Sequence, residues 1–332
     1  MGLNTLSNTG NLEYICTNST HTAEWAGGAS YVYLGGIVAK MKTSALVDVQ
    51  YCSNSGNVTF DPTSTAPHTA AATSDLGVLY YRCYLGGIAG YVDRARIFGD
   101  ATTKTTNSGI IFGGSGNKNV NTAETFWVGG IVGKLTGSAS SISYCELIGS
   151  GKAQNNHWSN KAYNSFAPMC GGIVGEMYSS NGTISHCAVA STASVVGTRG
   201  DLGGIAAYAR AITISDCTVP INFGNQSSYC DGGIVAWLRS GTVKDCTYSG
   251  STVRSSQLQY GGGIVGYLQG STIDGCSSYA TDVSKNGTAV TAGALAGQTD
   301  ASSTVKNSHY KSSMSMCGDA NFTDGGGNAA NL

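Results

Sequence analysis

The chain has 332 residues, with 18 Lys+Arg against 19 Asp+Glu, a formal net charge of −1 and only 11% charged residues. That balance removes the electrostatic case for nucleic acid or an anionic membrane as a partner. No apolar run reaches the length of a membrane span, and 48 Gly against 4 Pro already points to glycine-punctuated β structure.

The first patterned segment is Leu12-Glu-Tyr-Ile-Cys16. It reads as the cysteine-bearing strand described below, with no glycine-bearing strand before it, so the chain is expected to begin mid-coil, as a piece cut from something longer would. From there one motif recurs. It runs Leu34-Gly-Gly-Ile-Val-Ala-Lys-Met41, Leu85-Gly-Gly-Ile-Ala-Gly-Tyr-Val92, Val128-Gly-Gly-Ile-Val-Gly-Lys-Leu135 and Cys170-Gly-Gly-Ile-Val-Gly-Glu-Met177. It continues as Leu202-Gly-Gly-Ile-Ala-Ala-Tyr-Ala209, Asp231-Gly-Gly-Ile-Val-Ala-Trp-Leu238, Tyr260-Gly-Gly-Gly-Ile-Val-Gly-Tyr-Leu268 and a degenerate Thr291-Ala-Gly-Ala-Leu-Ala-Gly-Gln298. The intervals between copies are 51, 43, 42, 32, 29, 30 and 30 residues. The unit is therefore near thirty residues, and the first three intervals carry extra sequence.

A second motif follows each first one. Its copies are Leu46–Cys52, Ser141–Cys145, Thr183–Cys187, Thr213–Cys217, Thr242–Cys246, Thr272–Cys276 and Thr304–Ser308. The coil after Gly87 keeps only a remnant, Arg96-Ile-Phe98, and a weaker third segment such as Gly250-Ser-Thr-Val253 closes several coils. These pieces are short and rich in Ile, Val, Thr and Tyr, and none has a helical period. Stacked copies can bury what one copy cannot. The expected fold is all-β: a parallel β-helix (β-solenoid) of about eight coils in one elongated domain, 1–332. Long insertions fall in 1–172, regular coils in 173–310 and a cap or tail in 311–332. Ile37, Ile88, Ile131, Ile173, Ile205, Ile234 and Ile264 should form one interior ladder.

Eleven cysteines are many. Strict alternation would put Ile184 and Cys187 on opposite faces, so the strand is expected to bend just before Cys. The residue there varies through Tyr51, Tyr144, His186, Asp216, Asp245, Gly275 and Asn307, as a solvent column would. The cysteines then point inward as small hydrophobes, in preference to disulfides. No Cys-x-x-Cys pair supports a metal site.

Gly232–Cys246 and Gly262–Cys276 carry Gly-Gly-Ile-Val, then Thr-Ile-x-x-Cys or Thr-Val-x-x-Cys, in the form that resembles the GLUG-motif repeats of bacterial surface proteins. The resemblance covers residues 34 to about 310. It implies an extracellular or cell-surface, adhesin-like protein, and it brings no catalytic residue and no cofactor.

Other chemistry is weaker. Gly261-x-Gly263-x-x-Gly266 fits a dinucleotide fingerprint in form, but no helix pattern follows it. The calcium-binding nonapeptide repeat needs a regular Asp that is not there. Asp216 and Asp245 hold matching places in consecutive coils, as a glycoside-cleaving pair would, but in a solvent column. The column Lys40, Tyr91, Lys134, Glu176, Tyr208, Trp237, Tyr267, Gln298 brings three aromatics together at Tyr208, Trp237 and Tyr267. Stacked, they would make either a flat platform for sugar rings or a cross-strand brace. Insertions near 60–80, 100–124 and 152–168 should leave one edge of the stack, and loops on a scaffold are where binding resides. The third places Asn155, His157, Trp158, Tyr163 and Phe166 together, aromatic faces beside amides. The leading expectation is a non-catalytic surface module that binds a glycan or a host or cell-surface protein through these positions. The alternatives are a β-helix polysaccharide lyase or hydrolase, and a filament subunit associating end to end.

Overall fold

The computed structural model describes residues 2–15, 30–61, 81–114, 125–156, 168–198, 200–226, 228–284 and 291–332. Among them there is no helix, and all the strand pairs are parallel. Each strand pairs with its counterpart one repeat away, so the sheets run along the repeats and not within them. One eight-stranded sheet holds the strands before the Gly-Gly turn, from Ser30–Gly35 to Thr291–Gly293. A fourteen-stranded sheet holds the strands after that turn together with the Thr-Ile strands. A nine-stranded sheet holds the short strands at and after the cysteines, and the third segments form a five-stranded and a three-stranded sheet.

Glycine makes the first turn possible. A Cβ on Gly86 would fall inside the van der Waals radius of the Ala89 carbonyl oxygen, and the corresponding glycine of every other copy meets the same obstruction. The strands on either side of the turn therefore pack backbone to backbone. The isoleucine behind the turn goes inward: Ile88, Ile131, Ile173, Ile205, Ile234 and Ile264 are fully buried, with Leu295 continuing the row. Ile37 is only half-buried against the core; among the described residues the strand before it, Ser30–Gly35, is the end strand of its sheet.

Two bends in left-handed backbone shape the central repeats, the first at Ala139, Asn181, Ala211, Ser240 and Gly270. The second precedes the cysteine, at Tyr51, Tyr144, His186, Asp216, Asp245, Gly275 and Asn307, all with φ between 50° and 65°. Asn, Asp, His and Gly tolerate this conformation best, which accounts for the variable column. After the bend Ile184 and Cys187 both point inward. All ten described cysteines are buried and none is in a disulfide. The thiols of Cys145, Cys187, Cys217, Cys246 and Cys276 recur in successive repeats and donate to backbone carbonyls, Cys187 Sγ to Ser185 at 3.3 Å and Cys217 Sγ to Ser215 at 3.1 Å among them. Burial drives the Cys217 thiol well above its ordinary pKa.

The early repeats use amides where later ones use hydrocarbon. Asn8 Nδ2 donates to Asn54 Oδ1 and Asn54 Nδ2 to Asn107 Oδ1, each at 2.7 Å. The same column continues as Leu147, Val189, Val219 and Tyr248, all buried. In 311–332, Ser315 and Met316 carbonyls accept from Ala294 and Leu295, and Thr323–Asp324 pairs with Thr304–Lys306.

Three expectations change. Leu12–Ile15 pairs with Val58–Asp61 and so belongs to the third-segment column, not the cysteine-strand column; that place is taken by Leu3–Asn4, which pairs with Val49 and Gln50. A short apolar run alone does not say which of three strand types it is. The Arg96–Phe98 remnant does pair with Ser141–Ser143, but its cysteine place falls to Thr105 after a five-residue excursion. The insertions are also shorter than expected: Thr105–Asn107, Ile110–Gly113 and Lys152–Asn155 are regular strands of the stack.

Candidate functional site

The outward columns on the two sides of the Gly-Gly turn meet. Two residues before the first glycine stand Tyr33, Tyr84, Trp127, Met169, Asp201, Cys230, Tyr260 and Thr291; seven residues further on stand Lys40 through Gln298. Because the glycines let the two strands pack closely, these columns share one external corner.

In the early repeats the corner is filled from the first strand. The rings of Tyr33 and Tyr84 stack at 5.3 Å and 10°, and those of Tyr84 and Trp127 at 4.6 Å and 12°. Tyr91 stands edge-on to Tyr33 and Tyr84. Lys40 Nζ lies 4.3 Å from the Tyr33 ring centroid and Lys134 Nζ 4.9 Å from that of Trp127. Lys134 also pairs with Glu176 at 2.9 Å. Tyr84 and Trp127 are 95% buried here, and burial holds the Tyr84 phenol well above its ordinary pKa.

In the later repeats the second strand fills the corner. Tyr208, Trp237 and Tyr267 occupy consecutive repeats in register and are half-exposed. Trp237 stacks on Tyr267 at 5.1 Å and 30°, but Tyr208 meets Trp237 at 72°. The flat three-ring platform is therefore not formed. Two rings offer a common face and the third braces them, with the Trp237 indole nitrogen buried and without a hydrogen-bond partner. The opposite wall is small here: Asp201 and Cys230, then Tyr260, whose ring lies 5.5 Å from that of Tyr267. Burial raises Asp201 to about 7 and Asp231, one residue along the next strand, to about 8. Asp231 stands in the interior column beside Leu202; it accepts from the Ser228 hydroxyl at 2.7 Å, and its other oxygen has no partner.

Of the expected loop residues, Asn155 is a correction. It is the last residue of Lys152–Asn155, 99% buried between Gly113 and Gly197 of the flanking repeats, and it faces the core. Alternation along a strand that continues further than expected puts it there. His157, Trp158, Tyr163 and Phe166 lie outside the described residues. Asp216 and Asp245 are exposed at the bend before the cysteines. The described residues contain no group of three or more His, Cys, Asp or Glu able to hold a metal ion, and no helix among them is long and apolar enough to cross a membrane.

The Tyr33–Tyr84–Trp127 stack was missed in the sequence. The signal was there: reading the residue two before the first glycine as its own column lines up the three aromatics. Compared with known proteins, the chain matches no family model, no curated protein and no solved structure.

Proposed function

We propose that this chain is a recognition module of a cell-surface, adhesin-like protein, built as a closed parallel β-solenoid and related to the GLUG-motif repeats its motifs resemble. Its ligand is a glycan or a protein, met at the aromatic corner. The observation that carries this reading is the half-exposed Trp237–Tyr267 pair, whose stacked rings offer one shared aromatic face for apolar contact. The carboxylates that an enzyme would use have another account, since Asp216 and Asp245 occupy left-handed bends that favour Asp on backbone grounds.

A glycan array and a panel of surface proteins, read with wild type and with Trp237→Ala/Tyr267→Ala, test this. Wild type should retain at least one ligand, and the double variant should lose about tenfold or more of the affinity. Shortening of a polysaccharide that Asp216→Asn or Asp245→Asn abolishes would replace this reading with a hydrolase or lyase.

A further inference from the structure

A second surface, beginning three residues beyond Tyr208, Trp237 and Tyr267, follows from the other left-handed bend. A shallow, open groove of about 580 Å³ crosses four repeats on the outer face of the large sheet. One side is the bend itself, at Asn181, Ala211, Ser240 and Gly270, with φ between 51° and 59°. Short side chains at these places leave the groove open. Two residues further on in each repeat stand Thr183, Thr213, Thr242 and Thr272, paired in register. They form the other side.

The register makes this a lattice. Adjacent strands lie about 4.8 Å apart, so the four hydroxyls recur at that spacing along the stack. Ser141 precedes them in the same column and Thr304 follows. Threonine is β-branched and stiff at χ1, so the hydroxyls are held with little freedom left to lose on binding. None of the four side-chain hydroxyls makes a hydrogen bond among the described residues. No charged residue lines the groove.

The groove is confined to particular repeats. In the second repeat the bend position is Arg94, with φ 63°, and its guanidinium donates to the Ser44 carbonyl at 2.8 Å. The threonine position there is Arg96, paired with Asp48. Long charged side chains thus fill in the early repeats what short neutral ones leave open later.

We propose that this groove binds an extended, unbranched, neutral polysaccharide lying along the stack. The proposal rests on the recognition reading above and assigns it a second site. An extended chain of pyranose units advances by nearly one strand spacing per sugar, so successive sugars pass successive threonines. Each threonine offers one donor, acceptor lone pairs and a methyl group for the C–H face of a ring. A polyanion would find no cation in the groove to replace its hydration.

Affinity electrophoresis in gels containing a soluble β-glucan, a mannan or a xylan, with a polyuronate as control, reads the binding. The variants are T213V/T242V/T272V, which keeps β-branching and removes three hydroxyls, and Ala211→Arg, which places in the groove the side chain that Arg94 carries at the equivalent bend. At least one neutral polymer should retard wild type, and each variant should weaken that binding tenfold or more. Circular dichroism and Tm monitor folding; if the triple variant does not fold, Ala211→Arg decides. Trp237→Ala should leave this binding in place. Retardation by no neutral polymer, retardation by the polyuronate alone, or equal binding by the folded groove variants would overturn the proposal. Binding lost only in Trp237→Ala would overturn the groove and leave the recognition reading standing, whereas shortening of the polymer would sink that reading itself.

Discussion

The early and late repeats fill the same external corner from opposite strands. Up to Trp127 the aromatics stand before the glycines and the second strand supplies Lys40, Tyr91 and Lys134. From Tyr208 onward Tyr208, Trp237 and Tyr267 stand after the glycines, and the facing wall shrinks to Asp201 and Cys230 before Tyr260 restores a ring beside Tyr267. The Gly-Gly turn fixes the spacing of the two strands, so the corner has a set volume and either strand can supply it. What differs is exposure. Trp127 is 5% exposed and serves packing, whereas Trp237 keeps a face toward solvent.

The sharpest test sets the common core against both corners. Ile234→Asp puts a carboxylate into the interior ladder and should cost more than about 4 kcal/mol, enough to prevent folding of the adjoining repeats. Ile37→Asp, at the half-buried start of the same ladder, should cost much less. Denaturant unfolding of both variants checks this, and equal losses would deny that the ladder is the shared core.

The next test breaks the comparison itself. Trp127→Ala should cost about 3–5 kcal/mol, since it empties a buried stack. Trp237→Ala should cost about 1–2 kcal/mol, because less of its surface leaves water. If the two losses were equal, the two corners would be equivalent in packing.

The third uses pH and the two buried carboxylates of the late repeats, Asp231 and Asp201. Asp231 is raised from 3.8 to about 8 in the folded chain, so between those values the folded state keeps a proton that the unfolded chain has released. Its contribution to stability therefore falls as pH rises through that window and levels off above about 8. Asp231→Asn should match wild type near pH 4 and exceed it at pH 8, by an amount on the order of 5 kcal/mol. The slope remaining below about 7 belongs to Asp201. Urea unfolding across pH 4–9 measures both.

The smallest effects separate two ion pairs of the early repeats. Lys134→Gln loses the contact to Glu176 and the approach to the Trp127 ring, at side chains only 19% and 13% exposed; it should cost about 1 kcal/mol. Arg96→Gln loses a pair whose side chains are 51% and 31% exposed, and should cost about 0.5 kcal/mol or less. Paired melting curves at low and high salt check the ranking.

Much of this architecture was legible as repetition. The Gly-Gly-Ile copies placed the first turn, because no side chain fits against the facing carbonyl. The freely varying residue before each cysteine pointed to a solvent column and so to a bend, and the left-handed backbone found there is the conformation that Asp, His, Asn and Gly tolerate. Ile184 and Cys187 were both assigned to the core on that reasoning, and both are there.

Alternation along a strand says which residues share a face, and a repeat says which residues share a column; both are local, and the sequence alone determined them. Neither says which two columns of different strands will meet. Only the tertiary structure decided that Trp127 lies under Lys134, that Asn155 ends a strand and faces inward, and that Asp231 takes an interior place beside Leu202. The physical reason is the back-to-back approach of the strands at the glycines. It turns two outward columns into one packed corner, and so decides which of their polar groups give up water and which keep it.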